Sequence, residues 1–153
     1  MPAMGRVGRA WASGRLSVAG EHLVAHAVMR RLSAAYESAG RGQGRPVIIG
    51  APPGVQHELG LLAFGVLARR AGLATLYLGA DVPLEAWSDA VSAADPVCAV
   101  TVAPRRADAP RVAQVARQIA GVPLWVGGRY QHLVKPPVRQ LGHCLGDAVK
   151  LLA

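Results

Sequence analysis

The chain is poor in several things, and each shortage removes a class of protein. It has two cysteines in 153 residues, Cys98 and Cys144, far apart and outside any CxxC pair. A disulfide scaffold or a four-thiolate zinc site is therefore excluded, and a reducing cytoplasm is the expected compartment. Aromatic residues make up 5%, with a single Phe, too few for a base-stacking nucleic-acid surface. No apolar run approaches the ~20 residues of a membrane span, and the opening "MPAMGRVGRAWASG" has no hydrophobic core of a signal peptide. Acidic residues number 9 against 17 basic, and of the basic ones only Lys135 and Lys150 are lysines. The resulting charge of +8 would attract polyanions. It is scattered in singles and pairs such as Arg30-Arg31, Arg69-Arg70 and Arg105-Arg106, with no nucleic-acid motif beside it, so it reads as a solvated Arg-rich surface.

What is present is apolar: 52% of the residues are hydrophobic and 17% charged, enough material for one packed core. Residues 15–38 carry Val24, Ala27, Val28, Leu32 and Ala35 at helical spacing, with a shorter helix expected near 4–12. The Gly-rich "AGRGQGR" reads as a linker. Beyond it the pattern is regular. The runs "PVIIG", "ATLYLGA", "PVCAVTVA" and "VPLWVGG" read as strands, with "RQLG" as a short fifth. The stretches "HELGLLAFGVLARRAG", "PLEAWSDAVSAA", "PRVAQVARQIAG" and "HCLGDAVKLLA" read as helices between and after them. Strands without polar alternation, separated by amphipathic helices, give a doubly wound α/β fold with a parallel sheet covered on both faces. The domain boundaries expected are a helical segment over 1–40 and the sheet domain over 45–153.

In such sheets ligands bind beyond the carboxyl ends of the strands. Gly, Pro and polar residues cluster there: "APPGVQH", "GADVP", "TVAPRR" and "GGRY". The first loop lacks GxGxxG, GK[ST] and the second His of HExxH, which removes dinucleotide, P-loop and zincin readings. Cys98 falls inside a strand rather than at its end, which disfavours a thiol nucleophile. What remains is His57, followed by Gly60.

At this point the chain resembles a known family. His57 and Gly60 form the HxxG of the cobalamin-binding signature, joined by Thr101 at the third strand and by Gly127-Gly128 at the fourth. The stretch "PPGVQHELGLLAFGVLARRAGLATLYLGADVP", with Trp11, Glu21 and His22 upstream, is similar to the cobalamin-binding part of light-responsive MerR-type regulators, the CarH group. The resemblance implies a Rossmann-like or flavodoxin-like cobalamin fold behind a truncated helical bundle. It implies that His57 ligates cobalt from below, as a neutral imidazole suits cobalt(III). The displaced nucleotide tail would insert beside Thr101, Gly127 and Gly128. Trp11, Glu21 and His22 would cover the upper face, which favours adenosylcobalamin.

The function implied is a non-enzymatic cobalamin sensor in transcriptional regulation, acting as a homo-oligomer or through a partner regulator, without sequence-specific DNA binding by this chain alone and without a membrane. A corrinoid carrier subunit of a methyltransferase or mutase shares the sheet, and so would a cofactor-free interaction domain. Three departures stand out. Val55 replaces the signature carboxylate two residues before the His, Ala12 follows Trp11, and the sequence starts too late to include a winged helix.

Overall fold

The computed structural model describes residues 18–153. The helix expected near 4–12 and Trp11 lie outside these residues, as does the side chain of Glu21. Helix α1 spans Val18–Ser38, and strand β1 spans Gln43–Gly50. The chain continues through α2 (Leu59–Arg70), β2 (Leu73–Gly79), α3 (Leu84–Ala94), β3 (Cys98–Val102) and α4 (Ala109–Gln118). It ends with β4 (Leu124–Gly127), the two-residue β5 (Arg139–Gln140) and α5 (Leu145–Lys150).

All strand pairs are parallel, in the order β2-β1-β3-β4-β5. The chain leaves β1 toward β2 on one side and returns to β3 on the other. The strand order therefore reverses between β1 and β3, and the crevice over that point is where a flavodoxin-like sheet takes its ligand.

Alternation along the strands sorts the core into two layers. Ile48, Ala99 and Val126 face one way, where Trp87 of α3 and Val112 and Val115 of α4 cover them. Val47, Ile49, Cys98 and Val100 face the other way, under Leu61, Phe64 and Ala68 of α2 and Ala148 and Val149 of α5. Burial on both faces is why these strands carry no polar alternation.

Helix α1 docks on α2 through Tyr36, which is buried against Leu62 and Val66. The Tyr36 hydroxyl shares a hydrogen bond with Thr75 Oγ1 at 2.9 Å. The Arg69 guanidinium lies 3.5 Å above its ring and donates to the Tyr36 carbonyl at 2.8 Å. A Cβ at Gly65 would stand 3.1 Å from the Tyr36 ring, so this glycine lets the helix approach. The C-terminal half of α1 is thereby fixed to the sheet domain, while Leu23 near its start is 69% exposed.

Two boundaries differ from the sequence reading. Strand β1 begins at Gln43, inside the stretch read as linker, because Gln43 pairs with Leu73 across a register shift before Val47. The last helix occupies only Leu145–Lys150, since Gly142 takes a φ of +78° and the chain from Leu141 to Cys144 is needed to close a wall of the cavity described next.

Candidate functional site

The sheet's carboxyl end carries a largely apolar cavity of about 380 Å³. Gly60, Leu61 and Phe64 of α2 form one wall, Val100 and Val102 of β3 the floor, and Leu141 to Leu145 the far side. Gly127 and Gly128 border it at the end of β4.

The glycines shape this space. A Cβ on Gly60 would meet nothing within 4 Å, and one on Gly127 only Leu141 Cδ1 at 3.9 Å. Gly127 shares the phase of Trp125, on the side of the sheet facing α2 and α5, so a side chain at 127 would take up room between the walls. Gly128 is different. Its φ is +95°, and a Cβ there would stand 2.8 Å from the Ala103 carbonyl oxygen, so the close approach of two backbones requires glycine.

Thr101 borders the cavity and is fully buried. Strand alternation, however, puts it in phase with Ala99 and Ala103, which belong to the opposite core layer. Its hydroxyl has no hydrogen-bond partner among the described residues. The sequence places Thr101 at the right strand end but does not reveal which face its side chain takes.

His57 sits on the segment between β1 and α2, exposed, three residues before Gly60 at the cavity wall. Its ring has no hydrogen-bond partner among the described residues. The residue that follows, Glu58, accepts a hydrogen bond from the Tyr77 hydroxyl at 2.8 Å. Burial, and then that bond to Glu58, push the Tyr77 hydroxyl far above its ordinary range. Glu58 is thus engaged by β2. Val55, in the place of the signature carboxylate, is fully buried and packs with Ala51, Leu61 and Phe64.

Two polar clusters that the sequence reading did not single out frame the site. Beyond β3, the Asp108 carboxylate is fully buried and paired with Arg105 at 3.1 Å and Arg111 at 2.7 Å. Burial alone would raise its pKa, but the bonds from Arg105 and Arg111 hold it below the usual carboxylate value. Arg105 also donates to the carbonyl of Gly54, on the His57 segment, at 3.5 Å. On the far wall, Gln131 is buried, its amide nitrogen donating to Gly142 O at 2.8 Å and its oxygen accepting from Gly142 N at 2.9 Å. The same nitrogen lies 3.3 Å from His143 Nδ1. A buried glutamine next to a glycine has no signature spacing, and only the fold brings these residues together.

His22 is exposed on the early turns of α1, its ring 6.4 Å from that of His26, and is not among the residues bordering the cavity. Cys98 is buried, which raises its thiol to about 11, so it is an inert small hydrophobe.

Comparison with known proteins bears on this geometry. The profile of the B12 binding domain family matches residues 1–36. The HTH-type transcriptional repressor CarH of Myxococcus xanthus is 37% identical over 134 residues, 83% of this chain and 44% of that protein. The repressor CarA of the same organism is 34% identical over 119 residues, 74% of this chain and 41% of its own length. The chain therefore spans less than half of either relative. Among solved structures, the monomethylamine corrinoid protein of Methanosarcina barkeri superposes with a TM-score of 0.69 at 13% identity, covering 97% of this chain and 76% of that one. The methanol:cobalamin methyltransferase complex MtaBC of the same organism gives 0.63 at 22%, covering 97% and 61%. These two likenesses are likenesses of fold.

Proposed function

The chain carries a B12 binding domain and is kin to the Myxococcus xanthus repressors CarH and CarA, and from that premise we propose that it is a cobalamin-binding sensor module of transcriptional regulation, with adenosylcobalamin as the favoured form. One observation carries the reading. The exposed imidazole of His57 stands at the carboxyl edge of the sheet, beside the strand-order reversal and three residues before Gly60, which borders the apolar cavity. The fit to a corrinoid rests on that pairing, an exposed imidazole without a hydrogen-bond partner among the described residues, close in the chain to a cavity that Gly60 and Gly127 border without a side chain.

Bound cobalamin would supply a cobalt ion able to take an imidazole nitrogen on its lower face and a labile organic group on its upper face. The chain's own residues do the rest. His57 offers the lower donor. The apolar cavity excludes water from an inserted nucleotide base, and Gly127 leaves room for it. Trp11, Glu21 and His22 are proposed to face the upper ligand; Glu21 and His22 belong to α1, which Tyr36 anchors to the sheet domain. A change of upper ligand would then reach α1, and through it a second copy or a partner regulator. Illumination is proposed as one such change. By this reading the module is not itself an enzyme, and its scattered arginines retain DNA only non-specifically and in low salt.

The test is the absorption spectrum of protein loaded with adenosylcobalamin, in the dark and after green light. His57→Ala should lose the histidine-ligated spectrum or weaken binding at least about tenfold. Wild-type affinity and spectrum in that variant would remove the reading.

A further inference from the structure

In the resembled signature a carboxylate two residues before the histidine orients it, because a metal-bound imidazole needs its ring direction fixed by a neighbour. Here that position is Val55, turned into the core. The bracing of the segment comes instead from the loop after β2. Asp81 Oδ1 accepts a hydrogen bond from Gly54 N at 2.6 Å. Its backbone N–H donates to Val55 O at 3.0 Å, and its Oδ2 accepts from Gln56 Nε2 at 3.0 Å. One residue thus holds three consecutive residues, and the next in the chain is His57. The clamp continues on both sides, with Val82 N donating to Ala51 O at 3.1 Å and Ala51 N to Gly79 O at 2.9 Å.

Asp81 holds this position at a φ of +51°. That left-handed region is unfavourable for a residue with a Cβ, although Asp and Asn tolerate it better than others. A side chain persists there when its surroundings over-determine it, and here three hydrogen bonds do so.

We propose that Asp81 is the positioning residue for His57, doing through the backbone of Gly54 and Val55 and the side chain of Gln56 what the missing carboxylate does directly on the imidazole in the resembled signature. The inference rests on the reading of His57 as the cobalt ligand. Its physical content is preorganisation: a segment already held in its bound shape loses less conformational entropy when His57 engages the metal. Val55 then acts as the apolar anchor beneath the segment, with Asp81 as the polar brace on its outer side.

The experiment compares Asp81→Ala and Asp81→Asn with wild type. Asn accepts from Gly54 N through its oxygen, donates to Gln56 Oε1 once that amide flips, and suits a positive φ. In the cofactor-free protein, Gly54 amide exchange should speed at least about tenfold in Asp81→Ala and stay within about threefold in Asp81→Asn. With adenosylcobalamin, Asp81→Ala should bind about 10- to 100-fold more weakly, with the spectrum shifted toward the histidine-off form, while Asp81→Asn keeps the wild-type spectrum. Gln56→Leu, at an exposed residue, removes only the Oδ2 bond and should lower affinity in the same direction; it decides the matter if Asp81→Ala does not fold.

Unchanged Gly54 exchange in Asp81→Ala, full histidine ligation in that variant, equal losses in the Asn and Ala variants, or unchanged affinity in Gln56→Leu would each overturn the proposal. If His57→Ala itself keeps the wild-type spectrum, the cobalt-ligand reading falls instead. The Gly54 exchange rates, measured without cofactor, still decide whether the clamp exists.

Discussion

Gln131 and Gly142 are joined by a reciprocal pair of hydrogen bonds, donor to carbonyl and carbonyl to donor, at 2.8 and 2.9 Å. The glutamine is buried and the glycine exposed, so an interior side chain acts as the partner strand for a surface turn. The turn it holds, Leu141 to Cys144, is a wall of the cavity. Gln131→Leu keeps the apolar bulk and removes the pair. Because water can solvate Gly142, thermal stability should fall by only about 1 kcal/mol. Cobalamin affinity should fall more, by about tenfold, while binding of cobinamide, which has no nucleotide tail, stays near wild type. Calorimetric melts and parallel titrations check this, and an equal loss for both ligands would show that the turn does not shape the tail's wall.

Asp108 makes folding stability depend on acid. Its folded pKa lies below the ordinary carboxylate value because of Arg105 and Arg111. The stabilisation is therefore complete above the unfolded value of about 3.9 and is lost as pH falls through the lower, folded value. Asp108→Asn removes this dependence and leaves Arg105 and Arg111 to solvent, at a cost of about 1–3 kcal/mol at pH 7. Melting curves from pH 7 to pH 2.5 should show the gap between the two proteins closing toward the acid end. A constant gap would mean that Asp108 contributes packing rather than charge.

Val55→Asp restores the residue type of the resembled signature and should nevertheless fail. Position 55 is fully buried among Ala51, Leu61 and Phe64. An uncompensated carboxylate there should cost about 3–5 kcal/mol, with no gain in cobalamin affinity. A stable variant that binds more tightly would show that the segment can turn this side chain outward to His57.

How much of this was legible beforehand depended on what kind of signal each residue carries. The central strands β1 and β3 announced themselves because burial on both faces leaves unbroken apolar runs, Val47 to Ile49 and Cys98 to Val100, while β2 and β4, less buried, carry apolar runs as well. The helices followed from 3.6-residue spacing, as with Val112 and Val115 facing the sheet. His57, Gly60, Gly127 and Gly128 lie near strand ends, where this topology takes ligands, and were singled out by the resemblance; all but His57 border the cavity. The start of β1 was missed because Gly42 and Gly44 look like a linker, and only the pairing of Gln43 with Leu73 makes the segment a strand. Asp81, Asp108 and Gln131 carried no signal. Asp81 and Gln131 work through residues distant in the chain, and Asp81 through its backbone angle as well; the partners of Asp108 are three residues to either side, but an Arg-x-x-Asp-x-x-Arg spacing does not reveal that the carboxylate is buried. The face of Thr101 depended on the phase of β3, which an apolar run does not fix.

Gly127 should accept a side chain without harm to the fold. A Cβ there has only Leu141 within 4 Å, so Gly127→Val should melt within about 1 kcal/mol of wild type. The branched side chain enters the cavity, and cobalamin affinity should fall by about a hundredfold or more. Tight binding by the folded variant would show that the tail does not pass this position.

Gly128 sits next in the chain under a different rule. Its φ of +95° and the Ala103 carbonyl 2.8 Å from its would-be Cβ bar any other residue, whatever the cavity holds. On the proposed reading the two neighbours are subject to separate selection, 127 for the ligand and 128 for the chain itself. A lineage that gave up its cofactor would be free to drift at 127 and still be confined at 128. Across descendants of such a protein, the dipeptide would serve as a record: two glycines where binding has been maintained, and a lone second glycine where the fold has outlived its use.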